Sequence, residues 1–337
     1  SAKLQLLDGI THPAIMQKLF AQMAECAGEA AFAEVPLLFE CGADKDFDNV
    51  IVVMRDVSAR IDSVMRRDGL TREEVAARIG DAEAVLINKT VITRRIFELC
   101  PRLQYIGLFA TGYNVVDIEA AKDHGVVVSN APAYSTNAVA QLTFAMILHF
   151  YSLVSSHDAR VHTGEWTNCR DFCFYDPRIR ELAGKTIGLI GFGNIAKKVA
   201  QLAQAFDMPV LVWSRTQYPE YENQMLRFVP FETLLQNSDI VSLHTPLTPE
   251  TRGLIGEKEL SSMKPSAILI NTARGPVVDS AALADALNCG KIAGAGVDVF
   301  EMEPPVPADH PLLNAKNLIA TPHVAFATRE ALVKRAA

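Results

Sequence analysis

The stretch Lys185–Arg215, KTIGLIGFGNIAKKVAQLAQAFDMPVLVWSR, decides the architecture. Lys185-Thr186-Ile187-Gly188-Leu189-Ile190 is a short apolar run, which predicts a buried parallel strand. It leads into Gly191-Phe192-Gly193-Asn194-Ile195-Ala196, a G-x-G-x-x-A turn, and then into a helical pattern with Ile195, Val199, Leu202, Ala203 and Phe206 on one face. Val210-Leu211-Val212-Trp213 supplies the second strand of a βαβ unit. Gly191 permits the tight turn, Gly193 lets backbone approach a pyrophosphate, and Ala196 lets helix pack on strand. Phosphates then meet the free N–H groups and positive end of the new helix. A bare glycine turn is weak evidence, but this strand-turn-helix-strand setting marks a dinucleotide site.

Working outward toward the C-terminus, the alternation continues. Ile240–Leu243 reads as a strand, followed by the Pro-rich loop His244-Thr245-Pro246-Leu247-Thr248-Pro249 and a helical stretch near Lys258. A strand over Ala267–Asn271, a helix over Ser280–Asn288 and a strand over Gly296–Phe300 follow. Strands alternating with helices in this way make a doubly wound dinucleotide domain. Toward the N-terminus, strands are expected at Leu4–Leu7, Val50–Met54, Ala84–Ile87, Gln104–Leu108 and Val126–Ser129. Helices are expected over Arg72–Ile79, after Thr71 as N-cap, and over Val116–Lys122. This is a second parallel sheet covered on both faces. The part from Glu29 to Leu70 offers no functional reading beyond a solvated face or an insertion. Asn130-Ala131-Pro132 is a natural hinge before a helix from about Thr136 to Val154 that is apolar almost all round, so its own domain or another subunit must cover it. Between Thr163 and Arg180 the chain loses all periodicity and reads as a surface excursion.

Composition sets the outer bounds. A chain of 337 residues has room for two domains, and 49% hydrophobic with 21% charged residues suits a soluble globular enzyme. A net charge of −7 argues against nucleic acid or an anionic membrane as the main partner. Six scattered cysteines form neither a zinc pattern nor a disulfide framework, which points to reduced thiols. The N-terminus lacks a basic region followed by an apolar core, and the apolar run Phe144–Val154 is broken by His149 and Ser152. A cytoplasmic protein is expected. The eight histidines show no HxH or HExxH spacing, so no metal is expected.

Candidate chemistry stands where strands end, because open α/β sheets bind ligands there. In the first half the loops Asn88-Lys89-Thr90 and Ala110-Thr111-Gly112-Tyr113-Asn114 are candidates, the second because Gly112 admits close backbone approach. In the second half Arg274, Glu303 and His323 each follow a strand. Singly, each reads as well as a surface cation, a loop acid and a turn residue. Together, beside a nicotinamide, they suit reduction of a 2-keto acid. Hydride arriving at a carbonyl carbon leaves charge on oxygen, and a histidine can deliver the proton. A carboxylate on the other ring nitrogen fixes the imidazole, and a guanidinium grips a substrate carboxylate at two points.

GFGNIA, then NTARG at 271–275, GVDVFEMEPP at 296–305 and TPHVA at 321–325, resemble the D-isomer-specific 2-hydroxyacid dehydrogenase family, from about Ala84 to Arg329. The resemblance implies an α/β fold of two doubly wound parallel-sheet domains, with a Rossmann dinucleotide-binding domain inserted into a flavodoxin-like substrate domain. The implied division is substrate domain 1–129, NAD(P)-binding domain 130–324 and a return segment 325–337. It further implies Arg274 on the substrate carboxylate and carbonyl, His323 as acid/base and Glu303 as its partner. Asn88, Lys89 and the backbone of Thr111 and Gly112 complete the substrate site. The cofactor set is Gly191, Gly193, Asn194, Ile195, Ser214, Arg215, Thr216, Thr245, Pro246 and Thr272, with Asp298 on the nicotinamide carboxamide. The apolar helix near 137–154 is similar to one that members use in forming dimers, so a homodimer is expected. Three departures stand out: Gln141 where the family usually has Glu, a poor match over the first 80 residues, and an end at Ala337 earlier than the usual packing helix.

An NAD-preferring site usually ends its second strand with an acid that holds the ribose 2′-OH. Here Trp213-Ser214-Arg215-Thr216 holds none before Glu220, and Ser214 with Arg215 suits a 2′-phosphate. NADP(H) is therefore expected over NAD(H), as in hydroxypyruvate reductases of the family, with hydroxypyruvate or glyoxylate as substrate. D-lactate or aryl-lactate oxidation is the alternative within the family. A dinucleotide-sensing, corepressor-like binding protein is the alternative of another class.

Overall fold

The structure, a computed structural model, describes residues 52–54, 79–88, 90–303 and 306–336. Contacts divide the chain between Val52 and Val53, and the described residues fall almost wholly in the second unit. The expected strand Leu4–Leu7, the expected helix Arg72–Ile79 short of its last residue, the 29–70 stretch apart from 52–54, and Lys89 lie outside the described residues.

The first sheet has the order β1 (Val52–Met54), β2 (Ala84–Ile87), β3 (Tyr105–Leu108), β4 (Val127–Asn130). β2, β3 and β4 run parallel in register, Ala84 beside Tyr105 and Tyr105 beside Val127. Helices α1 (Arg94–Leu99) and α2 (Ile118–Asp123) connect them. Asp117 starts α2 by accepting the Ala120 N–H at 2.9 Å, so this helix begins two residues later than the periodicity predicts.

After the hinge, α3 (Thr136–Ser152) ends at Leu153, whose φ of 50° is left-handed, and α4 (Val154–His162) departs in a new direction. The expected single helix to Val154 is therefore a bent pair. Its first member is seated on the second sheet because Gly294 and Gly296 carry no side chains: a Cβ on either would meet Phe150 at 2.6 Å or Met146 at 3.0 Å. Ala138, Val139, Phe144, Met146, Ile147 and Tyr151 are buried, whereas Gln141, Ala145 and His149 are exposed, so most of the apolar surface is covered within the chain. Among the described residues no single helix is long and apolar enough to cross a membrane.

The second sheet is built from β5 (Ile187–Ile190), β6 (Val210–Trp213), β7 (Leu226–Phe228), β8 (Ile240–Leu243), β9 (Ile268–Asn271), β10 (Gly294–Val297) and β11 (Leu318–Ala320). Seven parallel strands lie in the order β11-β10-β9-β8-β5-β6-β7. Chain direction across the sheet reverses between β5 and β8, which opens a crevice at their C-terminal ends. The helices are α5 (Asn194–Ala205), α6 (Phe231–Asn237), α7 (Glu257–Ser262) and α8 (Ser280–Asn288), and α9 (Arg329–Ala336) follows the last strand. Strand residues alternate between two cores. Val241, Leu243 and Leu269 pack with α6–α8, while Ile187, Leu189, Ile240, Ile268 and Ile270 pack with α3 and α5. This explains the uninterrupted apolar runs, each buried aliphatic side chain contributing about 1.5–3 kcal/mol.

Two differences from the sequence reading concern strands. β7 and β11 are three residues each, too short to show a period. The expected strand over Gly296–Phe300 is instead Gly294–Val297, because Asp298 turns its carboxylate out of the ladder to bind another loop.

Candidate active site

The glycine turn closes β5. Gly191 has φ +94°, and a Cβ there would lie 2.7 Å from the His244 carbonyl oxygen, so the loop after β8 packs on the bare backbone. Gly193 is the N-cap of α5 and gives it no side-chain cap; a Cβ there would meet nothing within 4 Å. The first N–H groups of α5 therefore face open space, the condition under which they bind phosphate. This is the observation that fits the site to a dinucleotide. Asn194 is exposed and Ile195 half-buried in the first turn, and Ala196 is buried against the sheet. Ser214, half-buried, and Arg215 and Thr216, both exposed, follow β6. The Thr245 N–H lies beside Gly191, and the loop it shares with Pro246 is held by Thr251, which donates to the Pro246 carbonyl at 2.7 Å. His244 bonds Ser242 at 2.9 Å, and burial pushes its imidazole down to about 3, so it is neutral at working pH.

Arg274 follows β9. Asn271, buried at the strand end, donates from Nδ2 to the Arg274 carbonyl at 3.0 Å and accepts the Ala273 N–H at 3.1 Å, which fixes the turn. The guanidinium donates from Nη1 to the Ala273 carbonyl at 2.7 Å and lies directly on Gly112, where a Cβ would overlap Nη2. The Thr111–Gly112 loop is held in turn by Asn130, which donates to the Thr111 carbonyl at 2.8 Å. Burial pushes the Arg274 pKa down while the charges of Glu303 and Tyr134 oppose it, and a guanidinium stays charged regardless.

His323 sits in a left-handed conformation, φ 53°, unusual for a residue with a Cβ. Asp298 holds it there. This fully buried carboxylate accepts the Thr321 hydroxyl at 2.5 Å and the Val324 and Ala325 N–H groups at 2.8 and 2.9 Å. His323 Nδ1 is hydrogen-bonded to Glu303 Oε2, and Glu303 Oε1 accepts the Phe300 N–H. Glu303 thus faces His323 on one side and acts on Arg274 through its charge on the other. The three residues meet at the C-terminal ends of parallel strands, with the glycine turn at the same edge.

Two residues of the expected cofactor set also make contacts within the protein. Thr272 is buried and bonds the Thr143 hydroxyl of α3 at 3.2 Å, and the Asp298 oxygens are taken up by the His323 turn. Asn88 is half-buried after β2. Asn271 and Asn130 enter the sequence reading only within the NTARG motif and the hinge, with no holding role assigned to either. The only signal for Asn271 is a polar residue closing an apolar strand.

Residues 144–325 match the family model described as D-isomer specific 2-hydroxyacid dehydrogenase, NAD binding domain. The chain belongs to the D-isomer specific 2-hydroxyacid dehydrogenase family. It is an NAD(P)-dependent oxidoreductase with a Rossmann dinucleotide-binding domain, as the resemblance implies. This 2-hydroxyacid dehydrogenase is 44% identical over 268 residues to a hydroxypyruvate reductase of Blautia hydrogenotrophica, covering 79% of this chain and 83% of that protein. It is also 44% identical over 258 residues to a glyoxylate reductase of Thermococcus litoralis, covering 74% and 76%. Among solved structures it is similar to the D-lactate dehydrogenase of Aquifex aeolicus complexed with NAD and lactic acid, with TM-score 0.72 and 31% identity over 84% of this chain and 91% of that one. Residues 1–90 of the dehydrogenase match a different family model, dephospho-CoA kinase. The stretch that resists a functional reading, Glu29 to Leu70, lies inside that match.

Proposed function

We propose that the protein reduces a small 2-keto acid, hydroxypyruvate or glyoxylate first, to the D-2-hydroxy acid. The observation that carries this reading is the His323–Glu303 hydrogen bond beside the Arg274 guanidinium. A bound nicotinamide dinucleotide supplies the hydride. Arg274 pairs with the substrate carboxylate and polarises the carbonyl, the Thr111 and Gly112 N–H groups also meet that carboxylate, and Asn88 and Lys89 receive the rest of the substrate. His323 donates the proton to the carbonyl oxygen from Nε2, since its Nδ1 is engaged by Glu303. Glu303 keeps the ring in that orientation. Asp298 serves this step by shaping the His323 turn, in addition to the nicotinamide contact that the resemblance implies.

NADP(H) is the proposed cofactor, because Arg215 and Thr216 are exposed at the end of β6 and residues 214–219 include no acid. The names of the two reductases support keto-acid reduction, and the likeness to a D-lactate dehydrogenase keeps lactate as the second reading. The assay is loss of NADPH or NADH absorbance with hydroxypyruvate, glyoxylate, pyruvate and phenylpyruvate. Turnover of none of them with either cofactor would sink the proposal.

A homodimer and a cytoplasmic location belong to the same reading, without nucleic acid or membrane as partner. Exposed apolar side chains follow α3 rather than lie on it: Val154, Trp166, Phe172 at 93% exposure, and Tyr175. The segment is organised by its own contacts, Trp166 donating to the Phe172 carbonyl at 3.1 Å and Arg160 lying 4.4 Å over the Phe174 ring. We take it as the contact with a second copy. The division into 1–129, 130–324 and 325–337 is supported by two separate sheets and by β4 ending at Asn130.

A further inference from the structure

Glu303 sits in a loop that leaves β10 and returns to β11, and that loop is pinned beside it by a second acid–imidazole pair. Glu301 Oε2 lies 2.9 Å from His310 Nε2. His310 is buried, its ring edge-on to Phe300 at 5.2 Å, and its Nδ1 accepts the Leu312 N–H at 3.3 Å. With Nδ1 accepting, the proton resides on Nε2, so a neutral His310 donates to Glu301 and both ring nitrogens are satisfied. Glu301 also accepts from Ser280, the first residue of α8. Burial pushes the Glu301 carboxyl up, and the Ser280 and His310 donors bring it below its ordinary range. Beneath it, Gly275 touches the Phe300–Glu301 peptide so closely that a Cβ would overlap it. Gly275 is the residue after Arg274. The backbone at 300–301 is therefore fixed against α8, the 310 turn and the Arg274 turn at once, while Glu303, two residues on, reaches His323.

We propose that Glu301 and His310 form a clamp that sets the position of Glu303 and, through it, of the His323 imidazole. They are positioning residues for proton transfer and touch no reactant. The inference rests on His323 being the proton donor. A proton-donor geometry is sensitive to displacements of an ångström or less, which is why a pair outside the pocket matters for rate.

The test is NMR of the whole protein labelled with 15N-histidine, alongside kinetics. The Nδ1 proton between His323 and Glu303 gives a far-downfield signal, assigned by its loss in His323→Ala. Glu301→Ala is expected to remove or broaden it, and to lower kcat ~10-fold while the keto-acid KM changes less than ~2-fold. The pH above which kcat/KM falls is expected to move in the same variant. Glu301→Gln keeps an acceptor for His310 and Ser280 and restores all three. If Glu301→Ala does not fold, His310→Phe, which retains a ring edge-on to Phe300, replaces it with the same expectations. An unaltered downfield signal with wild-type kcat in the folded variant overturns the clamp. Wild-type protein that turns over no 2-keto acid defeats the functional reading instead, and the NMR arm still judges the clamp.

Discussion

The Arg274 guanidinium occupies the place where a side chain at residue 112 would begin. Gly112 is thus required by the cation opposite it rather than by its own backbone angle. The Gly112→Ala variant is expected to fold, because the overlapping atom is the far end of a long side chain, but to displace the guanidinium. We expect kcat/KM for the keto acid to fall ~10–100-fold, with stability changed by about 1 kcal/mol or less. Wild-type kcat/KM in the folded variant would show that the guanidinium position is unimportant.

His323→Ala removes the proton donor and leaves the glycine turn untouched. Its kcat is expected to drop ~10²–10⁴-fold while cofactor affinity, read by fluorescence titration, stays near wild type. Arg274→Ala differs in kind, raising keto-acid KM as well as lowering kcat, since one guanidinium serves binding and polarisation. Near-normal turnover by either variant contradicts the assignment.

Arg215 is exposed at the end of β6 and is the cation proposed for a 2′-phosphate. Arg215→Ala is expected to lower kcat/KM for NADPH ~10–100-fold, the loss of a charge-assisted hydrogen bond, and to leave NADH nearly unchanged. Equal losses with both cofactors, or a wild-type preference for NADH, would remove the 2′-phosphate reading.

His244 is held neutral, its imidazole pushed down to about 3 by burial beside Ser242. The unfolded chain binds its proton near pH ~6.5, so between that pH and about 3 the unfolded state carries more protons. Stability is therefore full above ~6.5 and is lost as pH falls, by less than ~1.4 kcal/mol per pH unit because the residue is not wholly shielded from water. His244→Asn is expected to flatten this acid limb in chemical unfolding measured across the window. An unchanged slope would place the protonated imidazole in solvent.

Phe172 is the most exposed of the large apolar side chains in the segment after α3. Phe172→Asp is expected to shift the protein toward monomer in sedimentation at micromolar concentration without lowering thermal stability of the monomer. A wild-type protein that sediments as a monomer removes the dimer proposal.

Much of the fold was legible because its signals are local. The apolar run of β5, the two glycines and the amphipathic pattern of α5 lie within 20 residues, and each reports a backbone requirement that few residue types meet. Arg274, Glu303 and His323 stand out as candidates for a related reason: each is a chemically distinctive residue just past an apolar strand. What stayed hidden depends on partners distant in the chain. The contact of Thr272 with Thr143, and those of Asp298 with Thr321, Val324 and Ala325, join residues that no local spacing pairs. β7 and β11 are too short for periodicity, and the end of α3 turns on a single left-handed leucine.

By itself, then, the sequence determined the dinucleotide fold and marked the side chains proposed for the reaction, because strand burial, glycine turns and acid–base chemistry are written in residue type and short spacing. Only the tertiary structure decided how those side chains are held. Gly112 under Arg274, Asp298 under the His323 turn and Glu301 against His310 are pairings between segments that the chain brings together only when both cores close.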